Sequence, residues 1–199
     1  MNVFELDPLV ATYDLNEHPF YRAWRAGTLP RAALSAYAAE YAPFIGAVEL
    51  GWRTLGDDAH ALEEGQHARL WERFRDALDP AQVPACAATA SLAQFARDAF
   101  AEPASAVGAL YAFEAQQPST ARSKLDGLRA HYAMPEEATA YFREHADDYG
   151  ERESLRVRWG QLNADGVARA KAACEGMCRA MWAALDGVLA ANAPELCSA

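Results

Sequence analysis

Between positions 34 and 55 the apolar residues Leu34, Tyr37, Tyr41, Phe44, Val48, Trp52 and Leu55 recur at spacings of three and four. That period lines one face of an α-helix and neither face of a strand. The rhythm returns in Val167, Ala170, Cys174, Met177, Met181, Leu185 and Val188, a heptad-like seam on a predicted last helix running from about Asn163 to Leu189. Alanine is abundant, β-branched residues are sparse, and no segment alternates apolar with polar residues, so the chain reads as all-α.

Punctuation divides it further. Pro19 opens a first helix that Gly27 closes, and Pro30 opens one running to about Gly56 with a kink expected at Pro43. Asp57 or Asp58 caps a third, through Leu62, Leu70, Trp71, Phe74 and Leu78, and a connector from Asp79 to Pro84 follows. A fourth spans about Thr89 to Ala101; Pro103 starts a fifth, broken or kinked at Pro118; Pro135 starts a sixth, through Tyr141, Phe142 and His145. Seven such helices bury their stripes only by packing around one another, which predicts a single seven-helix bundle over residues 1–199.

Eighteen Lys and Arg against 28 Asp and Glu give a net charge of -10, which repels nucleic acid and anionic membranes. The first nine residues lack a basic and then apolar leader pattern, and no apolar run approaches the roughly 20 residues that span a bilayer. Cys86, Cys174, Cys178 and Cys197 form no disulfide framework, and Cys174 with Cys178 reads as packing on the last helix. A soluble, cytoplasmic protein is expected.

Function in a bundle is sought where polar residues interrupt the stripes. Glu63 and His67 stand four apart in ALEEGQHARLW, so a carboxylate and an imidazole share one helical face; the alternative is a solvated charged face. Glu114 lies among Leu110, Tyr111 and Phe113, where a carboxylate needs a ligand or an ion pair such as Arg122. His145 shares the face of Tyr141 and Phe142, as a ligand or as a core or capping histidine, and Tyr149 and Glu153 continue that stripe. Glu63 or Glu64, His67, Glu114, His145 and Glu153 make a mixed carboxylate and imidazole set suited to iron or manganese. No nucleophile elbow, Walker loop or dinucleotide fingerprint appears.

Taken in order, HPFYRAWRAGTLPRAALSAYAAEY, EEGQHARLW, YAFEAQQPSTARSK and YFREH resemble the haem-oxygenase-like family. That family includes the thiaminase-like TenA proteins, the PqqC enzymes and the haem-oxygenase-like di-iron oxidases. Within it the likeness is to para-aminobenzoate synthases of the type of the chlamydial protein associating with death domains. The resemblance implies a helical bundle with a central site, a homodimer, and oxygen-dependent chemistry at a di-iron or related centre, with molecular oxygen as co-substrate. It places metal ligands at Glu63 (or Glu64), His67, Glu114 and His145. The family's H-x-x-x-D-x-x-x-H run reads His145, Tyr149, Glu153 here, so two of six usual ligands differ, with Glu153 or Asp148 as replacements. It further implies that a tyrosine of the chain supplies an aromatic ring and a lysine its amino nitrogen. The matching residues are Tyr21, with Tyr37 as a second site tyrosine, and Lys124; a further tyrosine of the pattern is Phe113 here. Read as residues alone, the two tyrosines are also consistent with aromatic core packing and Lys124 with a solvated charge.

Three readings follow: an oxygen-dependent iron oxidoreductase acting in cofactor or small-metabolite biosynthesis; a metal-independent enzyme in the manner of TenA or PqqC, holding a small heterocycle; and a non-catalytic binding protein with a degenerate metal site.

Overall fold

The computed structural model describes residues 4–78, 86–147 and 150–198. The expected connector from Asp79 to Pro84, and the Asp148 and Tyr149 positions, lie outside the described residues. Among those described, eleven α-helices run in order: α1 (Asp7–Thr12), α2 (Pro19–Ala26), α3 (Arg31–Ile45), α4 (Val48–Thr54), α5 (Asp58–Asp76), α6 (Ala87–Phe100), α7 (Pro103–Glu114), α8 (Gln117–Gly127), α9 (Ala140–Glu144), α10 (Glu151–Trp159) and α11 (Ala164–Asn192). No strand occurs among the described residues, and the all-α expectation holds.

Several predicted starts and stops coincide with caps. The His18 imidazole accepts from Phe20 N–H at the start of α2, and Gly27 closes that helix at φ +70°. Asp57 accepts from His60 N–H at the start of α5, and Asn163 accepts from Gly166 N–H at the start of α11.

The differences from the seven expected helices are breaks. The stripe from Leu34 to Trp52 is buried as expected, but it runs over two helices. Pro43 supplies no N–H to the last turn of α3, and the chain turns at Gly46 and Ala47 before α4 begins. The sixth helix opens as a 3₁₀ segment (Glu136–Thr139), and its α-helical part ends at Glu144. Gly150 sits at φ +105°, a conformation that favours glycine, and α10 starts afresh at Glu151. Leu62, placed in the apolar series of α5, is 64% exposed.

Two halves pack together. In one, α11 lies against α6 and α7, and α7 is buried along its length from Ala104. At their crossing a Cβ on Gly108 would overlap the Ala170 carbonyl, so only glycine allows this approach. In the other half, α2, α3, α5, α8 and α9 enclose a core that mixes aromatic rings with ionisable groups.

Candidate functional site

The polar half contains two adjoining clusters. The first comes from α5 and the end of α9. Glu64 and His67 are three apart on α5, with Glu64 Oε1 3.2 Å from His67 Nδ1. The α9 helix ends at His145, whose ring lies 4.3 Å from that of His67 between centroids. One donor atom from each of Glu64, His67 and His145 falls within 4.8 Å of the others, an arrangement able to hold a single metal ion. Glu114, at the C-terminus of α7, borders the same recess with Glu144, Asp147 and Glu151.

The histidines differ electrostatically. Burial, reinforced by the neighbouring His67, pushes His145 down to about 3, so it stays neutral. His145 Nδ1 lies 2.7 Å from the Tyr141 carbonyl and donates to it, while the buried Nε2 has no hydrogen-bond partner. A neutral imidazole with one nitrogen tied to a carbonyl and the other lone pair free is in the state that binds metals. Burial also works against charge on His67, yet the hydrogen bond and negative charge of Glu64 carry its pKa above the usual value. A cation between them would replace the proton that this pair now shares.

The sequence-derived ligand set is therefore brought together only in part. His67, Glu114 and His145 meet, and of the two candidate glutamates it is Glu64 that joins them, 4% exposed. Glu63 points outward and groups instead with His60 and Glu151, whose donor atoms also lie within 4.8 Å of one another. The signal was in the stripe: Ala61, Glu64, Trp71 and Phe74 occupy the buried face of α5, and Glu63 lies off it. Glu153 is not at the recess. The α9 helix ends at Glu144 and α10 starts afresh at Glu151, which takes Glu153 out of the register of His145, and its carboxylate, 73% exposed, lies 3.9 Å from Arg156. Glu144, Asp147 and Glu151 were missed, because they border the recess from helix ends that periodicity does not place.

The second cluster adjoins the first through Tyr141. Tyr21 of α2 and Tyr37 of α3 share a hydrogen bond, hydroxyl to hydroxyl, at 2.9 Å. Lys124 of α8 reaches the Tyr21 hydroxyl at 3.4 Å and lies 4.6 Å over its ring. All three are buried, so the solvated reading of Lys124 is overturned. Removed from water with no carboxylate beside it, Lys124 falls to about 7, which leaves a large share of neutral amine at neutral pH. Burial pushes both tyrosines up, so they hold their protons. Tyr141 accepts a hydrogen bond from Gln117 Nε2–H at 2.9 Å and stacks on His145 with centroids 4.1 Å apart. Phe113 borders the same cavity, which measures about 10 Å³, room for one water-sized molecule.

Two comparisons show the kind of protein this is. The chain is 32% identical to a 4-aminobenzoate synthase of Chlamydia muridarum, over 72% of this chain and 70% of that one. It is 30% identical to a 4-aminobenzoate synthase of Nitrosomonas europaea, over 92% and 89% respectively. Its fold is similar to that of a TenA homolog from Pseudomonas syringae, with a TM-score of 0.78, 16% identity, and coverage of 93% of this chain and 91% of the other. The haem-oxygenase-like bundle implied by the sequence motifs is thereby shown. A family model described as iron-containing redox enzyme matches residues 27–185, a span holding both clusters except Tyr21, and the chain belongs to that family.

Proposed function

We propose that this protein is an oxygen-dependent iron enzyme that forms 4-aminobenzoate from its own Tyr21, with Lys124 supplying the amino nitrogen. One observation carries the reading: a recess holding two histidines and Glu64 adjoins a closed tyrosine–lysine cluster whose cavity, about 10 Å³, admits no heterocycle. The ring to be altered is then a side chain already in place. That same volume counts against a TenA-like site for a diffusing substrate.

Glu64, His67 and His145, with Glu114 beside them, would hold the metal, either iron or manganese, by oxygen and nitrogen donors of the type such ions take. The ion would supply the one-electron oxidation and dioxygen chemistry that no side chain provides. The chain's own residues do the rest. Tyr37 fixes the Tyr21 phenol by their shared hydrogen bond, and Phe20, Trp24 and Tyr37 pack around its ring and shield it from bulk solvent. The Lys124 amine, with a large share neutral near pH 7, faces that phenol as a nucleophile and a base.

The test is anaerobic titration with ferrous iron, counting bound metal per chain, followed by oxygen and whole-protein mass spectrometry on lysine-¹⁵N-labelled protein. The expected result is stoichiometric iron, a mass loss at Tyr21, and label in the released 4-aminobenzoate. Absence of iron binding, or product without a change at Tyr21, would sink the proposal.

A further inference from the structure

The two clusters are joined by an unbroken path of buried rings. The His145 imidazole lies 4.1 Å from the Tyr141 ring, Tyr141 lies 4.9 Å from Trp71, Trp71 lies 5.4 Å from Tyr37, and Tyr37 lies 6.1 Å from Tyr21, all between centroids. Tyr141, Trp71 and Tyr37 are each 1% exposed and Tyr21 is 3% exposed, so the path is shielded from bulk solvent. Resting on the function proposed above, we infer that Tyr141 and Trp71 form an electron relay from the Tyr21–Tyr37 pair to the metal recess, and that Lys124 receives the Tyr21 proton.

The hydrogen bonds decide where the path ends. A phenol gives up an electron readily only if its proton has somewhere to go. The Tyr141 hydroxyl meets the donating amide of Gln117, which cannot take a proton. Tyr41, 4.5 Å from Tyr37, donates to the Met181 carbonyl, a very weak base. Tyr21 alone among these faces an amine, Lys124 at 3.4 Å, and Tyr37 reaches that amine only through Tyr21. Trp71 differs again: its indole N–H donates to the Ala38 carbonyl at 2.8 Å, and an indole can carry a vacancy without losing that proton. Trp71 is therefore a stepping stone and Tyr21 a terminus.

Trp71 gives up one electron by way of Tyr141 to the oxidant, which would be iron held by Glu64, His67 and His145 after reaction with dioxygen. Trp71 is refilled by one electron from the tyrosine pair. Tyr21 loses that electron and its hydroxyl proton, the O–H bond breaks, and a new N–H bond forms on Lys124. The products are a Tyr21 phenoxyl radical, a Lys124 ammonium and a centre reduced by one electron.

The experiment mixes ferrous-loaded protein with oxygen, freezes it at intervals, and reads the organic radical by electron paramagnetic resonance while iron oxidation is followed separately. The wild-type chain is expected to give a tyrosyl signal that narrows with ring-deuterated tyrosine and is lost in Tyr21→Phe. Trp71→Phe and Tyr141→Leu, checked for native circular dichroism, are expected to lower the radical yield at least about tenfold with iron oxidation unchanged. Tyr41→Phe alters a phenol that touches Tyr37 off this path, and is expected to leave the yield within about twofold. Full radical yield in both relay variants, or iron oxidation without a radical in the wild type, overturns the relay and leaves the iron-enzyme reading standing. A wild-type chain that neither binds nor oxidises iron overturns both.

Discussion

The α6–α7–α11 half and the α2–α3–α5–α8–α9 half are buried to a similar degree and built on opposite terms. In the first, contact is close and apolar: Gly108 meets the Ala170 backbone, and Cys174, Met177, Cys178 and Met181 fill the seam of α11. In the second, Glu64, Lys124 and His145 are withdrawn from water, with Lys124 and His145 held away from their ordinary protonation states. Packing density explains the first half, and it leaves the second unexplained. An ammonium, an imidazole and a carboxylate are kept in a core only at a cost to folding, which implies that the second half is shaped by its chemistry.

The difference can be broken from either side. Gly108→Val forces α7 away from α11 and is expected to lose about 4 kcal/mol of unfolding free energy, the largest effect here, measured by urea denaturation. The opposite sign is expected across the molecule. Lys124→Met, of similar length, should gain about 3 kcal/mol at pH 7, because the folded chain no longer has to bury the amine. With the folded pKa near 7 and the ordinary value 10.5, the unfolded chain binds the extra proton between them. Wild-type stability therefore rises with pH across that window, and the advantage of Lys124→Met should shrink to nothing above it. An unchanged gap at pH 11 would show that the gain is packing alone.

Next in size, Glu64→Gln is expected to weaken ferrous binding on the order of 100-fold, about 2.7 kcal/mol, in anaerobic titration. Glu63→Gln and Glu153→Gln should each change it by less than about threefold, since Glu63 is exposed and grouped with His60 and Glu151, and Glu153 lies against Arg156. A large loss with Glu63→Gln alone would instead assign the His60, Glu63 and Glu151 group a metal of its own.

What the sequence disclosed follows the same division. The apolar seams and helix starts act locally or at a fixed period, so Leu34 to Trp52 and the last helix were readable, as were the starts at Pro19, Asp57 and Asn163. The choice between Glu63 and Glu64 depended on the phase of α5, which the exposed Leu62 disguised. Extending the sixth helix through Tyr149 to Glu153 failed because its α-helical part ends at Glu144 and a separate helix begins at Glu151, after Gly150 at φ +105°. Lys124 gave no local sign of burial: its neighbours Ser123 and Asp126 are polar, and what covers it comes from α2 and α9, far along the chain. Motif likeness supplied Tyr21, Tyr37 and Lys124 where periodicity was silent.

The unequal lengths of the two elements bearing the histidines have a mechanical consequence. Glu64 and His67 stand mid-way along the nineteen residues of α5, whereas His145 closes a helix of five. The spacing between Glu64 and His67 is thus set within one helix, whereas that from either to His145 is set by how a single-turn helix packs on α5 and α8.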